Sequence, residues 1–496
     1  VTRGAGRVGG SRNATAHHVH RLARNLARRK FVAPATQVPA ALRDISYDQY
    51  RQISFRPEKA PWTQDDLGFE LQLFPSGYLF PEAVSVFLVE GGRSRRLAAD
   101  ASLFDFGPLA AEVPRGAVIG FSGFRIHAPI NRRDHYDEFL VFQGASYFRG
   151  VGRDHRYGLS ARALAVDTTG EDAEEFPVFR SFWIERPETP EAITVHALLD
   201  GPSVTGAFTF VIRPGRETLM DVASALFPRR DLATVGIAPL TSMFLKAAHD
   251  PEGPLDFRPS VHDSDGLAIW NGRDERLWRP LLSPSTFQVS AFVDDNPRGF
   301  GLIQRERRFE DYQDLEAFYE LRPSGWVTPG ETWGAGSVEL VEIPTAVEYE
   351  DNIVAYWRPE KPLRAGRAYP FTYRLAWCND VPASNRLSVH DTRIGAGSRP
   401  GVLRFVVDFA DKRAMDRLAD SAAILRDAPP TAFLEPDLSA SGGTLAGPYV
   451  QFNPHLPGTR VVFELDPGEE RVVELRLALS AQGEPMSETW LYRWVA

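Results

Sequence analysis

Short apolar runs of period two, separated by turn residues, recur along most of this chain and restrict it to β architecture. Phe69–Phe74 alternates cleanly and Val84–Val89 does so in part. Further runs of the same kind include Ala117–Ile126, Phe139–Phe142, Ile193–Leu199, Thr205–Ile212, Thr218–Ala225, Ser337–Ile343, Val354–Trp357 and Phe371–Trp377. The punctuation is dense, with 38 Pro and 40 Gly. Helical patterns are few and short: around His20–Arg29, Ser242–Ala248, Leu315–Leu321 and Lys412–Ala419. No repeat of solenoid length is present.

A chain of 496 residues is too long for one ordinary core. Residues 1–30 are rich in Gly and Arg and read as a flexible or non-native N-terminal arm. Residues 31–378 read as one large antiparallel β-sandwich. Residues 379–400, with Pro382, Ser384, Asn385 and Gly397, read as an interdomain connection and cleft-covering loop that carries Arg393. Residues 401–496 alternate over Tyr449–Phe452, Arg460–Leu465, Glu470–Leu479 and Thr489–Val495, which fits an immunoglobulin-like sandwich.

The formal charge of −9 argues against a nucleic-acid partner. A single cysteine, Cys378, excludes an internal disulfide and a cysteine-rich zinc site. No apolar run approaches the roughly 18 residues of a membrane span. Gly-Xaa-Ser-Xaa-Gly, a Walker loop, a dinucleotide fingerprint and His-Glu-Xaa-Xaa-His are all missing.

Two acidic stretches remain. In Glu348-Tyr349-Glu350-Asp351-Asn352 the acids run directly into the apolar run Ile353–Trp357. In Val261-His262-Asp263-Ser264-Asp265-Gly266 an Asx-rich turn opens Leu267–Trp270. Taken singly, each reads as a solvated turn before a core strand, and the second lacks the oxygen ligands of a calcium loop. Taken together, Asp263 and Asp351 stand 88 positions apart, a spacing that a multistranded sheet can close. Two carboxylates facing one glycosidic bond are the minimal kit for cleaving it, and aromatic rings beside them stack on sugar faces. Tyr147, Trp270, Trp326 and Trp357 are the candidate rings, with Arg149 and Arg393 as cationic donors.

Longer blocks point the same way. Phe139-Leu140-Val141-Phe142-Gln143-Gly144-Ala145-Ser146-Tyr147-Phe148-Arg149 resembles a signature of the periplasmic glucan biosynthesis protein G/D family. So do Tyr157–Arg162, Ala238–Phe244, Arg279–Leu281, Leu321–Ser324 and Asp351–Trp357, and the likeness runs from about Phe31 to the C-terminus. The resemblance implies a galactose-mutarotase-like large sandwich and an immunoglobulin-like second domain. It also implies a periplasmic location, with a signal peptide in the precursor, although no such segment is visible here. The implied substrate is the β-1,2-linked backbone of osmoregulated periplasmic glucans, and some members are anomer-inverting endo-β-1,2-glucanases. Carried over by motif, Asp351 matches the general acid, Asp263 the general base, and Tyr319 and Glu348 the proton relay. No metal or cofactor is implied. A transglycosylase or cyclase on the same glucan, or a binding scaffold for a membrane glucan synthase, are the alternatives.

Overall fold

The computed structural model describes residues 5–34, 36, 38–114, 116–170, 173–250, 256–422 and 433–496. It is all-β in class, built from antiparallel sheets, as the period-two runs require. The chain divides into two compact units, each discontinuous in sequence. The first comprises Val1–Thr241, Val327–Ser337 and Tyr356–Cys378, and the second Ser242–Trp326, Val338–Ala355 and Asn379–Ala496.

The first unit is a sandwich of two sheets. In one, Glu70–Pro75, Phe121–Arg132, His135–Gln143, Tyr147–Gly150 and Ser160–Arg162 pair in that order, all antiparallel. In the other, Tyr369–Cys378, Thr218–Pro228, Val204–Arg213, Ile193–Asp200 and Val178–Glu185 pair antiparallel. Ser85–Glu90 adds to Val178–Glu185 in parallel. Alternation sends one set of side chains inward, and here that set is largely phenylalanine. Phe142 sits at its centre, 5.1–6.2 Å by ring centroids from Phe124, Phe148, Phe179, Phe182 and Phe210. Those rings come from both sheets, so the cluster joins the layers.

The expectation of a flexible arm at residues 1–30 is corrected by the structure. Ala5–Leu26 is a helix, longer than the short one expected around His20–Arg29. Val1–Gly4 lie outside the described residues. Val19 and Ala23, with Leu22 and Leu26, pack on Trp183, Leu198, Ala207 and Phe227, on the sheet face opposite the phenylalanines. Arg229 closes the C-terminal end, donating to the carbonyls of Leu26 at 3.1 Å and Arg29 at 3.0 Å. The segment has Gly9-Gly10 and no acidic first turn, so its local propensity is poor. Tertiary packing of one face supplies the stability that the sequence does not advertise.

In the second unit, Glu435–Ala440, Val472–Ala481, Thr489–Val495, Arg276–Pro280, Gly266–Trp270 and Gly299–Ile303 form one sheet. Arg276–Pro280 joins Thr489–Val495 in parallel. A four-stranded sheet, Ser388–Ala396, Leu403–Ala410, Gly458–Asp466 and Thr444–Asn453, faces it. Phe405 and Phe463 stack at 5.0 Å and meet Trp490 edge-on from the opposing sheet. Within 379–400, expected to be a mobile connection, Ser388–Ala396 is thus a paired strand. Ser242–Ala248, expected to be a short helix, holds the strand Phe244–Lys246. Among the described residues no helix is long and apolar enough to cross a membrane.

Phe142→Ala removes the ring that all five neighbours share, and the loss of buried area plus the cavity is worth about 3–5 kcal/mol. The urea midpoint of the mutant should fall accordingly. An unchanged midpoint would contradict the assignment of this cluster as the core of the first unit.

Candidate active site

All four residues expected to carry chemistry, Asp263, Tyr319, Glu348 and Asp351, lie in the second unit. Three local frameworks hold them. The first is the short ladder Phe244–Lys246 with Val261–His262. Asp263 follows it directly, and its N–H donates to the carbonyl of Met243 at 2.8 Å. Its side chain is buried and ion-paired with Arg322.

The second is the loop between the strands Ala335–Glu342 and Ile353–Pro359. Pro344 stops the first strand from continuing. Thr345 organises the turn, its hydroxyl bonding the Val347 carbonyl at 3.1 Å and Glu350 at 2.9 Å. Asn352 locks the loop's far end. Its Oδ1 accepts from the Phe244 N–H at 2.8 Å, and its Nδ2 donates to the carbonyls of Phe244 at 2.9 Å and Ile343 at 3.1 Å. Asp351, exposed at the loop's end, is therefore carried by a residue bolted to Phe244, and Phe244 pairs with His262, the neighbour of Asp263. Asp263 and Asp351 are thus each one residue from a partner of Phe244: His262 through the ladder and Asn352 through its side chain.

The third is the single 3-10 turn Tyr319–Leu321, entered through Phe318 in the left-handed region at φ 49°. Tyr319 is buried, and Arg322 lies 4.2 Å from its ring centroid. The Tyr319 hydroxyl donates to Glu348 at 3.3 Å. Burial raises this hydroxyl well above the ordinary tyrosine range; Glu348 and Asp263 add to the rise, while Arg322 and Arg258 oppose it. Tyr319 therefore stays a neutral O–H that both donates and accepts.

Sequence reasoning missed the cations that hold this set together. Arg258 contacts Glu348 at 2.7 Å, Asp314 at 2.8 Å and Asp256 at 2.7 Å. Its hydrogen bonds hold Asp256 down to about 2. Arg322 pairs with Asp263 and also donates to the Ala317 carbonyl at 3.2 Å. Arg322 and Asn352 stand inside blocks already singled out, Leu321–Ser324 and Asp351–Trp357, so a signal existed for both. Arg258 has none, because two of its three partners, Asp314 and Glu348, are distant in sequence.

The expected sugar-binding residues fare differently. Trp357 is completely buried in the first unit, 6.2 Å from the Trp333 ring, and Trp326 is buried in the second. A ring without accessible surface has none to stack on a sugar, so both are corrected to core side chains. Trp270 holds Arg276 over its ring at 3.6 Å and gives its Nε1–H to Asp274 at 2.8 Å. Arg393, on Ser388–Ala396, pairs with Asp391 and lies 3.6 Å from Asp408. Tyr147 and Arg149 share one strand of the first unit, where Tyr147 lines a cavity of about 260 Å³.

Four further titratable groups, three buried and Glu306 half-buried, have shifted protonation. Burial lowers His249 to about 4 and His262 to about 3, so both imidazoles are neutral. Burial raises Asp265 to about 6 and Glu306 to about 8; Asp265, Asp311 and Asp391 reinforce the latter. The sign for Glu306 follows by linkage. Unfolded, it releases its proton near 4.5, whereas folded it keeps it to about 8. Between those values the unfolded chain binds fewer protons, so this group makes stability fall as pH rises. Glu306→Gln should flatten the decline in urea midpoint between pH 5 and 8 relative to the parent protein. Identical pH slopes for the two proteins would contradict this.

Comparison with known proteins follows the same chain of residues. The sequence profile of the family described as "Periplasmic glucan biosynthesis protein, MdoG" matches residues 15–494. "Glucans biosynthesis protein G" of Vibrio cholerae is 47% identical over 482 residues, covering 96% of this chain and 86% of that protein. The protein of the same name from Shewanella frigidimarina is 46% identical over 483 residues, 96% and 84% of the two chains. That of Rhodopseudomonas palustris is 47% identical over 478 residues, 96% and 92%.

Proposed function

This chain belongs to the periplasmic glucan biosynthesis protein MdoG family, and on that premise we propose that it acts in the periplasm as an anomer-inverting endo-β-1,2-glucanase on the backbone of osmoregulated glucans. The observation that carries this reading is the joint anchoring of the two aspartates. Asp263 hangs from Met243 and Asp351 from Asn352, whose amide grips Phe244 in the next position of the same backbone.

Each group has a role that its surroundings suit. Asp351, at the exposed end of the loop, is the general acid that protonates the leaving glycosidic oxygen. Asp263, an ion-paired carboxylate held by Arg322, is the general base that takes a proton from the attacking water. Inversion requires the two carboxyls to stand roughly 6.5–9.5 Å apart with water between, and a wider gap needs a relay. Tyr319 and Glu348 supply one, since a neutral phenol bonded to a carboxylate passes a proton by accepting on one side and donating on the other. Arg258 holds Glu348 in place and balances its charge, so the acidic loop does not repel itself out of position.

Linear β-1,2-glucan with a reducing-end assay tests the reading. The parent protein should release new reducing ends, and Asp351→Asn should reduce the rate by about 1,000-fold or more, losing the general-acid term and the acid–base pairing with it. Binding of the glucan and the thermal midpoint should be unchanged in that variant. Retained cleavage would remove Asp351 from the role. Binding without cleavage by the parent protein would favour a scaffold serving a membrane synthase, and products lighter by one water would identify a cyclase.

A further inference from the structure

Gln304 is completely buried just past the strand Gly299–Ile303, and every polar atom of its side chain is used. Nε2 donates to the carbonyl of His262 at 3.0 Å and to the carbonyl of Tyr319 at 3.2 Å. Oε1 meets the Nδ1 of His262 at 2.9 Å. Its backbone N–H donates to Ser324 Oγ at 3.0 Å. The two carbonyls are specific places in the site. That of His262 belongs to the peptide unit whose N–H is Asp263, so this plane is gripped at its oxygen by Gln304 and at its nitrogen by Met243. That of Tyr319 also accepts the N–H of Arg322, the ion-pair partner of Asp263, at 3.1 Å.

We propose that Gln304 is a positioning residue that holds Asp263, Tyr319 and Arg322 in one fixed arrangement, with His262 setting the orientation of its amide. The inference rests on the hydrolase reading for its catalytic consequence and on the hydrogen bonds alone for its geometric one. The chemistry demands an amide. Two donors are needed for two carbonyls and one acceptor for the imidazole N–H, and no carboxylate or hydrocarbon of similar shape offers that set. The His262 ring must carry a proton on Nδ1 to donate to Oε1, and because burial keeps the ring neutral this is the Nδ1–H tautomer. The ring itself is fixed by stacking on Phe244 at 5.4 Å, 11° from parallel. Phe244 is the residue that Asn352 grips, so the orientation of the Gln304 amide is tied through one stacked ring to the segment that carries Asp351.

Two variants test this without depending on one another. Gln304→Met keeps the length and removes all three bonds. His262→Phe keeps the stack and removes both ring nitrogens, among them the N–H that orients the amide. With linear β-1,2-glucan, kcat should fall about 100-fold in Gln304→Met, as expected for catalytic groups displaced by about 1 Å, with KM within about threefold of the parent. His262→Phe should lower kcat by about tenfold and lower the thermal midpoint, because the buried Gln304 Oε1 loses its partner. Hydrogen exchange followed by mass spectrometry supplies a readout independent of turnover. Peptides spanning 261–264 and 319–323 should exchange faster in both variants, while those spanning 204–213 should not change. A kcat within threefold of the parent in His262→Phe, or unchanged exchange at 261–264 and 319–323, overturns the proposal. If the parent protein leaves the glucan uncut, the hydrolase reading fails separately, and the exchange result alone decides whether Gln304 positions these residues.

Discussion

The grip of the Asn352 side chain on the main chain of Phe244 is the constraint on which the rest of the site depends. A buried amide that fails to find partners costs about 1–3 kcal/mol, so three well-formed bonds make this arrangement hard to leave. Because Phe244 also pairs with His262, the loop bearing Asp351 and the turn bearing Asp263 share one register. Asp351 is carried by Asn352, whose side-chain polar atoms are all engaged, and Asp263 is held by its N–H on Met243 and by its ion pair with Arg322.

Electrostatics then assigns the remaining parts. A cluster containing Asp256, Asp263, Asp314 and Glu348 would repel itself without cations at its centre. Arg258 and Arg322 provide them, one bonded to three carboxylates and the other to Asp263 and the Tyr319 ring. The guanidinium group suits this use, since its planar set of donors satisfies several acceptors at once. Deeper in, the same problem is solved by protonation state: Asp265 and Glu306 are pushed up and His249 and His262 pushed down, so the buried layer carries less charge than its composition suggests.

What the sequence made legible follows from how far each signal reaches. Period-two alternation is local, so strands such as Thr218–Pro228 and Val472–Ala481 stood close to where the runs placed them. Helix Ala5–Leu26 was not legible in full, because it is stabilised by Trp183, Leu198 and Phe227, more than 150 positions away. Ser388–Ala396 looked like a loop for its polar, Gly-containing composition, yet pairing with Leu403–Ala410 makes it a strand. In the site, the acidic runs and the family resemblance pointed to Asp263, Asp351, Tyr319 and Glu348. Arg258 and Gln304 gave no local sign, since their roles exist only once distant carbonyls and carboxylates converge on them. The tryptophans misled for a simple reason: a large apolar ring in a β protein is most often filling the core, as Trp357 does.

The account stands on Asp263 and Asp351 acting on one glycosidic linkage. A crystal structure of the Asp351→Asn variant with linear β-1,2-glucan bound addresses that directly. It should show a single linkage whose oxygen lies within hydrogen-bond reach of residue 351, with a water on the opposite face of the sugar ring held by Asp263 or by a short chain leading to it. A glucan chain seated away from both residues, or touching them through different linkages, would contradict the account.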